Sequence, residues 1–188
     1  MNLANWITTL RIVLAMVCVS ILFWDAHIPG RDTLAAIIFI IAGITDGVDG
    51  YAARIRKEIT PFGKWFDPFA DKVLIIMTLV VLAHLNRGVP WLAVWIISSR
   101  EVLITVLRYF AGRKGLMNAA SRWGKLKTLS QIIAISLIML AKPWHIETLS
   151  VWVLWLAVIL TIWSGFDYLW RWRSVYMNSK SKDVIVKS

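Results

Sequence analysis

The sequence predicts an all-α, polytopic membrane protein with six transmembrane helices, and three observations lead there. Of its 188 residues, 59% are hydrophobic, and the mean hydropathy is +0.66, beyond what a soluble domain carries. The apolar residues gather in long segments, and helices, which satisfy their own backbone hydrogen bonds, are the straightforward way to bury such segments in lipid. Between them, connections rich and poor in Lys and Arg alternate along the chain, as the positive-inside rule requires of a multi-pass protein.

Taken in order, the first helix is expected from about Trp6 to Trp24, with Asn2, Asn5, Thr8 and Arg11 at its start. It has no basic residue before it and no small-residue cleavage site after it, so it reads as a retained helix. A short loop holding Pro29 and Gly30 leads to a second helix from near Thr33 to around Arg56. Its small residues Ala42, Gly43, Gly47, Gly50 and Ala53 allow close helix packing. Thr60-Pro61 starts a third helix, about Phe62 to Leu85, with proline in its first turn. A fourth runs from about Pro90 to Phe110, a fifth from about Lys127 to Ala141 and a sixth from about Leu149 to Trp170. Residues 1–170 thus form one membrane domain, and 171–188 a basic tail, polar enough to be frayed.

The Lys and Arg distribution places both termini on the cytoplasmic side of the membrane. Trp24, Trp91 and Trp144 fall at outer helix ends, and Trp6, Trp65, Trp123 and Trp170 at inner ends, as interfacial anchors do. The formal net charge of +10 would suggest nucleic acid in a soluble chain. Here it points to membrane lipids and phosphate substrates, and not to nucleic acid. The single cysteine, Cys18, lies inside an apolar run and excludes an intramolecular disulfide.

Four aspartates break the apolar pattern: Asp46 and Asp49 on the second helix, Asp67 and Asp71 on the third. An aspartate at a helix centre costs roughly 2.5–3.5 kcal/mol on insertion scales, so four together call for a reason. The i,i+3 and i,i+4 spacings put each pair on one helix face. With a rise of about 1.5 Å per residue, both pairs lie roughly 8–15 Å below the same membrane face. Two such carboxylate pairs are the oxygen-rich cage that Mg²⁺ requires. Two ions there would offset the four carboxylate charges and clamp a pyrophosphate, the logic of phosphoryl transfer.

The order D-x₂-D-G-x₂-A-R-x₈-G-x₃-D-x₃-D, carried by Asp46, Asp49, Gly50, Ala53, Arg54, Gly63, Asp67 and Asp71, resembles the signature of the CDP-alcohol phosphatidyltransferase family. The resemblance implies that two Mg²⁺ ions, with Mn²⁺ as a second candidate, hold the diphosphate of a CDP-linked lipid from which CMP leaves. It implies Asp46, Asp49 and Asp67 as metal ligands and Asp71 as a ligand or the general base. It further implies contacts to the CDP-lipid from Asn5, Thr8, Gly50, Ala53, Arg54 and Gly63. There the small residues leave room for the cytidine and Arg54 meets the diphosphate. Members of the family are often homodimers.

Three weaker stretches narrow the acceptor. Asn5-Trp-Ile-Thr-Thr-Leu-Arg11, Arg100-Glu-Val-Leu-Ile-Thr-Val-Leu-Arg108, and Gly124-Lys-Leu-Lys-Thr128 with Gln131 resemble the bacterial branch that makes phosphatidylglycerophosphate. Ala4 stands where that branch usually has proline, and the sixth helix and tail carry no such stretch. The implied substrates are CDP-diacylglycerol and sn-glycerol 3-phosphate. Arg108, Lys125 and Lys127 are the charged donors expected to bind the acceptor's phosphate at the cytoplasmic mouth, and Arg100 and Glu101 form a candidate internal ion pair. Inositol phosphate, serine or phosphatidylglycerol are the alternative acceptors. A cation- or proton-coupled transporter is the alternative of another class. It would spread carboxylates across the bilayer depth and usually show a repeat, whereas here the helix carboxylates concentrate towards one face. His27, His84 and His145 fall in or beside outer loops, which leaves carboxylates to take a hydroxyl proton in a single displacement; among them the family resemblance implies Asp71 as the base.

Overall fold

A computed structural model describes the backbone of residues 3–24, 29–56, 61–113 and 122–185, and the side chains of 9–24, 29–45, 72–109 and 123–173. The described residues form six α-helices and no strand: α1 (Leu3–Phe23), α2 (Arg31–Arg56), α3 (Pro61–His84), α4 (Trp91–Arg113), α5 (Arg122–Trp144) and α6 (Glu147–Ile185). Among the residues whose side chains are described, two helical stretches, Trp123–Trp144 and Glu147–Arg173, are long and apolar enough to cross a membrane. In α2 and α4 the apolar run is interrupted by charges, among them Asp46, Asp49, Arg100 and Glu101.

Local chemistry sets the helix ends. Gly30, at φ +79°, makes the turn into α2, whose first turn closes with Leu34 N–H donating to Gly30 C=O at 2.9 Å. Pro61 opens α3, where its missing N–H costs nothing. At the far end of α3, Asn86 takes a left-handed φ of 52°. Arg87 N–H then reaches back to Leu82 C=O at 2.9 Å and Asn86 N–H to Ala83 C=O at 3.1 Å, the paired bonds of a Schellman cap. His145, at φ 54°, ends α5 in a related way, with Ile146 N–H bonding Ala141 C=O at 3.0 Å. Glu147 sits in the first turn of α6, where a negative charge suits the helix dipole.

Helix α6 departs from the sequence expectation. It does not stop near Trp170 but continues to Ile185, so the basic tail is part of a helix about 58 Å long at 1.5 Å per residue. No glycine or proline follows Gly165 to halt it, and Asp167 accepts from Arg171 at 3.0 Å across one turn.

Small and mid-sized residues packed around Phe39 of α2 make the interior: Ala15, Cys18 and Leu22 of α1, Ala35 and Ala42 of α2, Leu79 and Leu82 of α3, Ala134, Ile135 and Ile138 of α5, Ala157 and Val158 of α6. Larger apolar side chains face outward, including Trp95, Trp152, Ile159 and Phe166. A helix apolar on both faces suits surroundings that are themselves apolar. Trp24, Trp91, Trp123, Trp144 and Trp170 are likewise exposed, as lipid-interface anchors need to be. Gly43 lets α2 and α5 approach closely: a Cβ there would lie 3.1 Å from Ile132 Cδ1.

Charge pairs fix the direction of the helices. Arg31 donates to Trp24 C=O at 2.8 Å, and Asp32 accepts from Arg31 at 3.0 Å and from Arg87 at 2.8 Å. The end of α1, the start of α2 and the α3–α4 turn therefore meet at one end of the bundle. Arg100 of α4 reaches Ser164 of α6 at 2.7 Å, and Gln131 of α5 reaches Thr161 of α6 at 2.9 Å, extending the alternation to all six helices.

Candidate active site

This alternation gathers the candidate residues at the opposite end. Asn5 and Thr8 lie in the first turns of α1, Asp46, Asp49, Gly50, Ala53 and Arg54 in the last turns of α2, and Gly63, Asp67 and Asp71 in the first turns of α3. Arg108 is near the end of α4, and Lys125 and Lys127 are at the start of α5. The side chains of Asn5, Thr8, Asp46, Asp49, Gly50, Ala53, Arg54, Gly63, Asp67 and Asp71 lie outside the described residues. Among the described residues, no three His, Cys, Asp or Glu side chains could share a metal ion.

Beside the motif, the described side chains build a buried polar network. Glu101 of α4 is ion-paired with Lys127 of α5 and with its neighbour Arg100 at 3.4 Å. The expected Arg100–Glu101 pair is thus one side of a triad whose third member is Lys127. Lys72 of α3 donates to the Thr105 hydroxyl, and that hydroxyl donates to Glu101 C=O at 2.6 Å. α4 is the hub, joined by charged donors to α3, α5 and α6. A buried carboxylate is tolerable when cations and hydrogen bonds surround it in this way. Arg11, the last residue of the N-x-I-T-x-x-R stretch, is also buried. It borders a small, mostly apolar cleft with Gly43, Ile75, Thr128 and Ile132.

Of the three cations expected at the mouth, Arg108 and Lys125 are exposed, whereas Lys127 is buried at 4% exposure. The Arg108 guanidinium carbon lies 6.0 Å from the centroid of the Tyr168 ring on α6, within cation–π reach. Sequence reasoning overlooked α6 as a contributor. The available signal was polar residues at i, i+3 and i+7 in an apolar helix, Thr161, Ser164 and Tyr168, all three buried.

The paired aspartates of α2 and α3 thus fall at one end of an α-helical bundle, the same end as the buried cation Lys127. The family model of CDP-alcohol phosphatidyltransferases matches residues 1–163, and the chain belongs to that family. A CDP-diacylglycerol–glycerol-3-phosphate 3-phosphatidyltransferase of Bacillus subtilis (strain 168) is 39% identical over 180 residues, 89% of this chain and 93% of its own. Its namesake in Haemophilus influenzae is 34% identical over 172 residues, 89% of this chain and 91% of its own. That of Rickettsia typhi is 34% identical over 171 residues, 89% and 94%.

Proposed function

We propose that this protein transfers the phosphatidyl group of CDP-diacylglycerol to sn-glycerol 3-phosphate, giving phosphatidylglycerophosphate and CMP. The observation that carries the reading is the coverage of the relatives. The B. subtilis enzyme, whose name specifies these two substrates, matches 89% of this chain and not only the aspartate motif. The basic network of α4 and α5 beside the motif suits an acceptor that is itself a phosphate.

In this reading all six helices span a bacterial inner membrane, both termini are cytoplasmic, and the aspartates open to the cytoplasm. Two copies associate as a homodimer. The donor set of the motif, four carboxylates at i,i+3 and i,i+4 on adjoining helices, fits hard divalent cations. Asp46, Asp49 and Asp67 would hold them, with Asp71 beside them; Mg²⁺ is the first candidate and Mn²⁺ the second. When bound, two such ions would neutralise the diphosphate and stabilise charge on the leaving oxygen.

The chain's own residues do the rest. Asn5, Thr8 and Arg54 hold the CDP-lipid, and Gly50, Ala53 and Gly63 leave space for it. Arg108 and Lys125 receive the acceptor's phosphate, and Lys127, anchored by Glu101, adds positive charge behind them. The acceptor hydroxyl forms a bond to the phosphatidyl phosphorus while the bond from that phosphorus to CMP breaks. Asp71 takes the hydroxyl proton, and CMP departs with the electron pair.

The test is a detergent assay of the purified protein with labelled CDP-diacylglycerol against a panel of alcohols, with and without Mg²⁺. Product with sn-glycerol 3-phosphate, and only when the metal is present, is the expected outcome. Preferred use of inositol phosphate, serine or phosphatidylglycerol would overturn the acceptor assignment.

A further inference from the structure

Three polar side chains on α6, Thr161, Ser164 and Tyr168, lie on one face at i, i+3 and i+7 and are buried against α4 and α5, at 0%, 3% and 9% exposure. The first two are engaged. Thr161 accepts from Gln131 Nε2 at 2.9 Å, and Ser164 accepts from Arg100 Nη2 at 2.7 Å. The third is not: among the described residues, the Tyr168 hydroxyl is buried without a hydrogen-bond partner. Leaving a buried hydroxyl unmatched is unfavourable, and each such group in a native protein calls for an explanation. The stripe runs toward the motif end of the bundle, and Tyr168, its last member, lies beside Arg108, whose guanidinium carbon is 6.0 Å from the ring centroid. An anion held by Arg108 is the partner of complementary chemistry, because it accepts where the tyrosine hydroxyl donates.

We propose that Tyr168 is a binding residue for the acceptor substrate, its hydroxyl donating to the phosphate that Arg108 receives, with its ring holding the guanidinium in place. Tyr168 lies beyond residues 1–163 that the family model matches, so its role rests on the geometry of this chain. The inference depends on the assignment of Arg108 to the acceptor's phosphate, and the experiment separates the two.

Initial rates would be measured for the purified full-length protein, varying sn-glycerol 3-phosphate and CDP-diacylglycerol independently, for Tyr168→Phe, Tyr168→Leu and Arg108→Ala. Tyr168→Phe keeps the ring and removes only the hydroxyl. It is expected to raise KM for sn-glycerol 3-phosphate about tenfold, the size of one charge-assisted hydrogen bond, and to leave KM for CDP-diacylglycerol unchanged. Tyr168→Leu is expected to raise the same KM further, since Arg108 also loses the ring. A residue that merely packs would leave Tyr168→Phe at the wild-type values. That result beside an impaired Arg108→Ala overturns the role of Tyr168 alone. An unchanged acceptor KM in Arg108→Ala overturns the phosphate assignment and this inference with it, and a KM raised for both substrates in Tyr168→Phe overturns the inference as well.

Discussion

Lys127 and Glu101 form an ion pair between α5 and α4, with 5% and 7% of their side chains exposed. Because Arg100 shares the same carboxylate oxygen at 3.4 Å, the two partners are not equivalent. Removing Lys127 leaves Glu101 with Arg100, whereas removing Glu101 leaves two cations side by side in the interior. Glu101→Gln is therefore expected to cost about 3–5 kcal/mol of stability, the range for orphaning a buried charge, and Lys127→Met distinctly less. Thermal unfolding in one detergent compares them, and equal losses would show that Arg100 does not share the carboxylate.

At the far end of the bundle, Asp32 plays the corresponding part for Arg31 and Arg87, with 14% of its side chain exposed. Asp32→Asn leaves those two arginines without their carboxylate and is expected to cost about 2–3 kcal/mol. This cluster sits at the opposite end from the aspartate motif, so kcat and both KM values are expected to hold in the folded fraction. A fall in kcat without a fall in melting temperature would contradict the separation of the two ends.

Gly43 sets the approach of α2 to α5. An alanine Cβ would meet the Ile132 side chain at 3.1 Å, and the flexible end of Ile132 can yield by a few tenths of an ångström. Gly43→Ala is expected to cost about 1 kcal/mol or less, while Gly43→Leu is expected to wedge the helices apart at a cost of about 1–3 kcal/mol. Since Asp46 lies one turn further along α2, the leucine variant is also expected to lose activity. Melting temperature and specific activity of the two variants decide it, and a fully active Gly43→Leu would contradict the close packing.

How far the sequence could be read depended on range. The helices and their order follow from apolar runs and from local signals such as Pro61 and Gly30, and the gathering of the motif at one end follows from alternation of direction. Pairing across helices was harder to see. Nothing in the neighbourhood of Lys127 says that it meets Glu101, twenty-six positions away, and its expected place at the mouth followed from charge alone. Tyr168 was passed over because aromatic residues in an apolar helix ordinarily pack or face lipid. Its significance arises from a partner on α4, sixty residues earlier. The long α6 was missed because a polar, basic tail looks frayed, although it lacks any residue that stops a helix.

Asp46→Asn and Asp67→Asn are each expected to abolish turnover while the protein still inserts, because each removes a charge from the proposed metal site, where carboxylates and cations would balance. Dialysis against a chelator is expected to have the same effect on the wild-type protein, reversed by added Mg²⁺. Near-normal activity of either variant across a range of Mg²⁺ concentrations would rule out the proposed metal ligands.

The last prediction concerns the order of events. A base must lie within reach of the acceptor hydroxyl, and the topology restricts the choice. His84 ends α3 and His145 follows α5, both at the end of the bundle remote from the motif. Cys18 is buried within α1, its thiol directed at Ala35 C=O, so it is not placed as a nucleophile. Asp71, on the first turns of α3, is the motif carboxylate assigned to take the proton. A carboxylate is a weak base toward an alcohol, and a divalent cation at the neighbouring aspartates would narrow that mismatch by acidifying the hydroxyl. In a single displacement both substrates are bound before CMP leaves, and initial-rate plots are expected to intersect. Asp71→Asn is expected to lose most of kcat while CDP-diacylglycerol still binds, which equilibrium binding of labelled lipid would measure. Exchange of labelled CMP into CDP-diacylglycerol with neither alcohol nor phosphatidyl product present would require a covalent enzyme intermediate, and single displacement would then be abandoned.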